Sequence, residues 1–400
     1  MTTDPARQVR SPIAFAVGAR TLSNTAYRMV YPFLPVFARA FGVDLAAMSI
    51  ALSARSASGA LGPLLAPFTD RRGRRFGLTL GLALFAAGAF LGAAGPGFPL
   101  FTAALVLMTV GKYVIDPALL AHLSDVVPYA RRGRALALTE LSWSLAFIAG
   151  VPAAGFLIGR FGWRSPFAAL AALGLAGLVA VRAIRLGAGA PKAAPDGGAA
   201  PGGAGGHRES YRAVFRSGAA LAGIAAILAV SVSNELVNFV FGAWLEDSFG
   251  LKLAGLGAAA AAIGLAEFGG EGLVAATIDR IGKMRALMIG LAANAVAAAA
   301  LPLAGGAVTT ALIGLALFYL TFEYTVVSML PVMSEILPQA RATLLAFYAA
   351  SFSVGRAIGS LASPRLYGLG FPAVALAAAG LNAVAFLFVL RLRRLTAGAH

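Results

Sequence analysis

Apolar residues run through this chain in long blocks, separated by short clusters of arginine, glycine and proline. A helix needs about 20 mainly apolar residues to cross a bilayer. Windows of that kind cover 11–38, 45–68, 76–95, 99–123, 134–159 and 164–184, then 217–242, 252–276, 284–304, 307–332, 341–363 and 371–391. The pattern predicts an all-α polytopic membrane protein with twelve transmembrane helices in two sets of six. Between the sets, residues 186–210 are rich in Gly, Ala and Pro and cannot bury a core. That stretch reads as a flexible linker between one six-helix bundle over 1–185 and another over 211–400. The apolar stretch from Ile13 continues without a small-residue cleavage site, so it is expected to be a span and not a cleaved signal.

Composition strengthens this picture. Of the 400 residues 59% are hydrophobic and 12% charged, with mean hydropathy +0.83. A soluble domain carries about 25% charge, so most of this chain is expected to face lipid or protein. A net charge of +16 could suit nucleic acid, but with this hydropathy no nucleic-acid partner is expected. There is no cysteine, and His122, His207 and His400 are far apart, so neither a disulfide nor a metal site is expected.

The distribution of basic residues is more telling than their sum. Clusters at Arg71, Arg72, Arg74 and Arg75, at Arg131, Arg132 and Arg134, at Arg280 and Lys283, and at Arg391, Arg393 and Arg394 all fall on one side of the twelve spans. The other side holds only Arg39, Arg160, Arg164, Lys252 and Arg365. The positive-inside rule places both termini in the cytoplasm.

The halves also repeat, with an offset near 210 residues. Ser124-Asp125-Val126-Val127-Pro128 aligns with Ser334-Glu335-Ile336-Leu337-Pro338, Ser23-Asn24 with Ser233-Asn234, and Asp70-Arg71 before Gly73 with Asp279-Arg280 before Gly282. Parallel six-helix repeats are one of the recurring builds of secondary transporters.

Asp70-Arg71-Arg72-Gly73-Arg74-Arg75 resembles the signature of major facilitator transporters between helices 2 and 3, and Asp279-Arg280-Ile281-Gly282-Lys283 resembles its degenerate copy between helices 8 and 9. Ala66 and Ala275 stand where that signature usually has glycine. The resemblance implies the major facilitator fold, with two pseudo-symmetric bundles. It also implies a cytoplasmic charge relay joining Asp70, Arg71, Gly73 and Arg74 to Asp125, with Asp279 and Arg280 in the second half. Gly150-Val151-Pro152-Ala153-Ala154-Gly155 resembles, in degenerate form, the helix-5 antiporter motif of drug and sugar efflux members. Gly150, Pro152 and Gly155 would bend that helix and let a neighbour approach.

Charged residues at membrane depth are costly and usually functional. In the family this chain resembles, helices 1, 4, 7 and 10 line the central cavity. Here those windows carry Arg20, Asn24, Tyr27 and Arg28, then Lys112 and Asp116, then Asn234, Glu235 and Asn238, then Tyr319, Glu323 and Tyr324. Arg20, Asn24 and Arg28 recur every four residues and share a face, and Lys112 and Asp116 could pair within one helix. These groups could lock the bundle, meet substrate, or do both in different conformations. Loss of water and of a cationic partner favours a protonated carboxyl, so Glu235 and Glu323 are the expected proton carriers, with Asp116 third. Arg55, Glu140, Glu267, Glu271 and Arg356 occupy helices 2, 5, 8 and 11, which flank the interface between halves in that family, and are expected to gate.

No GxxxxGK loop and no nucleophile–base constellation is present, so neither ATP-driven transport nor enzyme activity is expected. The reading is a secondary transporter working by alternating access, most simply a proton-coupled exporter of small amphipathic compounds. It needs no cofactor beyond the proton gradient and acts as a monomer in a bacterial inner membrane, with the bilayer and a small-molecule substrate as partners. An uptake symporter for organic anions or sugars, a lipid or lysolipid flippase, and a non-transporting sensor remain as alternatives.

Overall fold

A computed structural model describes residues 5–62, 72–127, 135, 138–183 and 204–397. The described residues form helices and turns, and every apolar window contains a helix. In chain order these are α1 (Pro5–Arg28), α2 (Leu34–Phe41), α3 (Leu45–Ser58), α4 (Arg74–Ala94), α5 (Phe98–Val126), α6 (Leu138–Phe161) and α7 (Ser165–Ala183). There follow α8 (Ala204–Arg216), α9 (Gly218–Phe249), α10 (Leu253–Ile281), α11 (Lys283–Ala300), α12 (Val308–Ile336), α13 (Arg341–Tyr367) and α14 (Phe371–Ala397).

Ten helices among the described residues are long and apolar enough to cross a membrane by themselves. The first two windows fall short for separate reasons. The first does not form the continuous helix predicted over 11–38: Pro32 and Pro35 interrupt the backbone ladder, and the chain turns at Met29–Phe33 between α1 and α2. Its α1 portion is also less apolar, because Arg20, Asn24 and Arg28 lie within it. The second is described only as far as Gly62. Helices α2 and α3 meet at 112°, so the chain doubles back between them. At that corner Gly42 takes a left-handed φ of 63°, and the Asp44 carboxylate caps α3 by accepting from the Ala47 amide at 2.8 Å.

Contacts divide the chain into two compact units, residues 1–191 with 250–264, and residues 192–249 with 265–400. The predicted linker at 186–203 lies outside the described residues, while the rest of it, from Ala204, is already the first turns of α8.

Close helix packing at glycines holds each unit together. In the first unit α4 and α5 touch backbone to backbone, so that a Cβ on Gly111 would sit 2.7 Å from the Gly81 carbonyl. The start of α10 belongs to this unit, with Gly257 against Pro152 and Gly264 against Phe147 and Ile148. In the second unit α13 lies on α9 through Gly355 and Gly359, and α10 lies on α12 through Gly270. The duplication seen in sequence extends to backbone geometry. Left-handed glycines recur in register: Gly42 with Gly250, Gly73 with Gly282, and Gly162 with Gly370.

Candidate functional site

In the first unit the α1 face predicted from the four-residue spacing is real and buried. Arg20 forks onto Glu140 of α6, with Nη1 donating to Oε1 at 2.7 Å and Nη2 to Oε2 at 3.3 Å. Its Nε lies 3.6 Å from Asp116 of α5, which also receives Lys112 Nζ at 2.5 Å one turn away. Glu140, Arg20, Asp116 and Lys112 thus alternate in sign and tie three helices together. Bidentate geometry of this kind is the strongest that arginine makes.

One turn along α1, the Asn24 amide donates to Ser142 Oγ at 3.2 Å. A further turn on, Arg28 donates to the Trp143 carbonyl at 3.1 Å and lies 4.3 Å over the Trp143 ring and 3.4 Å over the Phe147 ring. Arg55 of α3 is treated alike: it donates to the Tyr27 carbonyl at 2.8 Å and to Tyr31 Oη at 2.6 Å, and sits 3.9 Å over the Tyr27 ring. Aromatic faces hold cations well once water is excluded. Arg55 and Glu140, expected as gating groups, are bonded to residues of the first span. Beside them runs a crevice lined by Ser23, Tyr27, Arg55, Met108, Thr109 and Lys112, too tight to hold a water molecule.

The second unit assembles differently. Glu235 of α9 is fully buried. Its Oε1 accepts from Ser360 Oγ of α13 at 2.7 Å, and its Oε2 accepts from the Asn238 amide at 3.4 Å. Asn238 in turn accepts from Tyr319 Oη of α12 at 2.9 Å. The close approach of Gly359 to the Glu235 side chain brings Ser360 within reach. Asn234, one turn before Asn238, is buried with its Nδ2 lacking a hydrogen-bond partner. Glu323 shares the Tyr319 face of α12 and is buried where Gly270 of α10 meets it.

Tyr324, expected among the cavity residues, meets α10 and α11. One position past Glu323 it points about 100° around the helix, exchanges a hydrogen bond with Thr277 at 2.9 Å, and packs with Val274 and Ala286. On α10 Glu267 is buried and Glu271 half-buried, and Arg356 of α13 is buried with its guanidinium 4.9 Å from the Phe352 ring.

At the helix ends the charge pattern yields matched pairs. Arg74 Nε donates to Asp125 at 2.8 Å, while Asp70 and Arg71, the other charged members of the expected relay in this half, lie outside the described residues. In the second unit Lys283 pairs with Glu335. Asp279 and Arg280 are exposed in the last turn of α10. The residues that carry the second pairing were thus missed as site residues, although aligning Asp125 with Glu335 was enough to find them. Gly73 and Gly282, at φ 89° and 84°, start α4 and α11 beside these pairs.

The Gly150–Pro152–Gly155 motif has a local consequence. Pro152 lacks an amide hydrogen and crowds the carbonyl four residues back, and the helix widens into a π-turn over Ala146–Gly150. A side chain at Gly150 would collide with Thr25 of α1, and one at Gly155 with Phe33. The motif therefore seats α6 on the first span.

The two helical units, with helices long and apolar enough to cross a membrane and buried ionic and amide networks, are those of a polytopic membrane protein. The chain belongs to the Major Facilitator Superfamily, whose family model matches residues 16–334. It is 28% identical over 382 residues to the uncharacterized MFS-type transporter YwfA of Bacillus subtilis, spanning 93% of this chain and 88% of that one. Multidrug resistance protein 2 of the same organism is 28% identical over 148 residues, 37% of each chain. A crystal structure of the peptide transporter POT in complex with sulfate superposes with TM-score 0.74 at 16% identity, over 98% of this chain and 99% of that one.

Proposed function

We propose that the chain is a proton-coupled exporter of small amphipathic compounds, exchanging protons for substrate at the acids of its second unit. The observation that carries this reading is Glu235. It is a carboxylate with no solvent exposure, in mid-helix, within a hydrogen-bonded chain from Ser360 through Asn238 to Tyr319. A carboxylate removed from water responds strongly to whatever stands beside it. A substrate that engages Ser360, Asn238 or Tyr319 changes the hydrogen bonds this carboxyl receives. Glu323, on the same face of α12 as Tyr319, is the second carrier. Asp116 is a weaker candidate, since Lys112 and Arg20 already neutralise it.

Two further points support export of amphipathic compounds over uptake of organic anions. In the first unit, Arg20 and Lys112 are bound to acids, while Arg28 and Arg55 lie on aromatic rings. The partial relative named for multidrug resistance supports the efflux direction. The same reading places the protein in a bacterial inner membrane as a monomer, with the arginine-rich helix ends and both termini in the cytoplasm. Glu235→Gln and Glu323→Gln, reconstituted in vesicles with a pH-sensitive dye inside, test the coupling. Substrate-triggered proton movement is expected to vanish in at least one of them; full movement in both would sink the proposal.

A further inference from the structure

Helix α8 is not one of the membrane spans, and its surface is sorted into three strips. Ser210 and Val214, four residues apart, are buried, and Val214 belongs to the apolar core that also contains Ala340, Leu344 and Leu392. Tyr211 and Phe215 form the next strip. Both rings pack edge-on against Phe347 of α13 at 5.7 and 5.3 Å, yet remain 48% and 59% exposed. Arg212 and Arg216 form the third strip and are exposed. The helix stops at Ser217, whose hydroxyl caps the first turn of α9, so α8 lies at the very end of a span. The end of α14 is beside it, with Gly218 against Leu395, and there Arg393 and Arg394 are exposed.

A helix with one face on the protein, aromatic rings along one flank and arginines along the next fits a membrane surface. The rings suit the depth at which acyl chains give way to headgroups, and the guanidinium groups suit the headgroup phosphates. We infer that α8 is an interfacial helix that binds anionic phospholipid headgroups, through Arg212 and Arg216 for charge and through Tyr211 and Phe215 for insertion. Charge complementarity favours an anionic lipid over a neutral one, since Glu209 is the one acid among the described side chains of α8. The inference is independent of what the protein transports.

The test is lipid retention by the purified full-length chain, followed by native mass spectrometry, with phosphatidylglycerol and phosphatidylcholine offered at equal concentration. The chain is expected to retain phosphatidylglycerol preferentially. Replacing both arginines (R212Q/R216Q) is expected to lower that retention roughly tenfold, and raised ionic strength is expected to act in the same direction. Phe215→Ser is expected to lower retention of both lipids. These are exposed positions, and an unchanged melting temperature confirms that each variant folds. The inference is overturned if wild type and R212Q/R216Q retain phosphatidylglycerol equally, or if wild type shows no preference between the lipids. It is also overturned if millimolar inorganic phosphate displaces the lipid fully, because the site would then be one for free anions.

Discussion

Asp125 at the end of α5 takes a hydrogen bond from Arg74 at the start of α4, and Glu335 at the end of α12 is paired with Lys283 at the start of α11. The same pair of helix ends, the same left-handed glycine before the basic residue and the same polarity of charge occur in both units. Deeper along the helices the likeness is partial: Ser23-Asn24 recurs as Ser233-Asn234, but one turn on the residues differ. Arg28 and Asn238 occupy matching places in the repeat. One is an arginine laid on aromatic rings, the other an amide that relays a hydrogen bond from Tyr319 to Glu235. The first unit satisfies its buried ions with one another and with aromatic faces. In the second, the hydrogen bonds to Glu235 include one from a hydroxyl and one from an amide. Features kept in both units are those the duplicated framework needs, and on the proposed function the divergence between Arg28 and Asn238 separates a scaffold in the first unit from a proton-coupling element in the second.

Mutations can break that contrast, and Arg20 offers the largest effect. Arg20→Gln removes the buried cation from Glu140 and leaves Asp116 with Lys112 alone. Hydrogen bonds to charged groups contribute ~1.5–3 kcal/mol, and the 58% exposure of Glu140 puts the expected loss near the lower end, about 1.5 kcal/mol. A marked fall in melting temperature in detergent checks this, and removing Glu140 as well should recover part of it. Glu140→Gln alone, at a half-exposed carboxylate, should cost much less. If Arg20→Gln melts like wild type, the first unit is not the ionic scaffold described here.

Glycine contacts sharpen the comparison because both units depend on them. A Cβ at Gly111 would meet the Gly81 carbonyl at 2.7 Å, and one at Gly270 would meet the Leu320 carbonyl at 2.5 Å. Overpacking of this kind costs about 1–3 kcal/mol, offset in part by the ~1 kcal/mol that alanine gains over glycine in a helix. Gly111→Ala and Gly270→Ala should therefore each lower thermal stability modestly and by similar amounts. Loss in only one of them would show that the units do not share this packing rule.

The smallest stability effect belongs to the paired helix ends. Half-exposed ion pairs contribute at most ~1 kcal/mol, so Arg74→Gln and Lys283→Gln should barely move the melting temperature. The exchange R74D/D125R, which keeps the pair and reverses its sense, should be as stable as wild type. A large loss in the single variants would mean that these pairs hold the fold itself.

Most of this framework was legible in the sequence. Twenty-residue apolar windows located every helix long enough to cross a membrane, since a bilayer tolerates no other lipid-exposed backbone but a closed barrel; α8, in the stretch read partly as linker, has no such window. The α1 face and the Lys112–Asp116 pair followed from helical periodicity alone. What the sequence did not show were the partners supplied by distant segments. Neither Glu140 as the acid for Arg20 nor Ser360 as the donor to Glu235 has any local signal, being 120 and 125 residues away. The same holds for Asn382, which donates to Asn294 at 2.7 Å in a buried amide pair between α14 and α11. The break at Met29–Phe33 was visible in Pro32 and Pro35, but apolar continuity across 11–38 obscured it. The Thr277 partner of Tyr324 has no local signal either, since neighbouring positions of a helix share a window and not a face.

The claim that the second unit carries the coupling proton is tested most directly by one paired experiment. Glu235→Gln and Glu140→Gln, reconstituted side by side in vesicles, are assayed for proton movement on addition of a transported amphipathic dye. The prediction is that Glu235→Gln loses substrate-driven proton movement and Glu140→Gln keeps it. Proton movement intact in Glu235→Gln but absent in Glu140→Gln would place the coupling in the first unit and contradict the account.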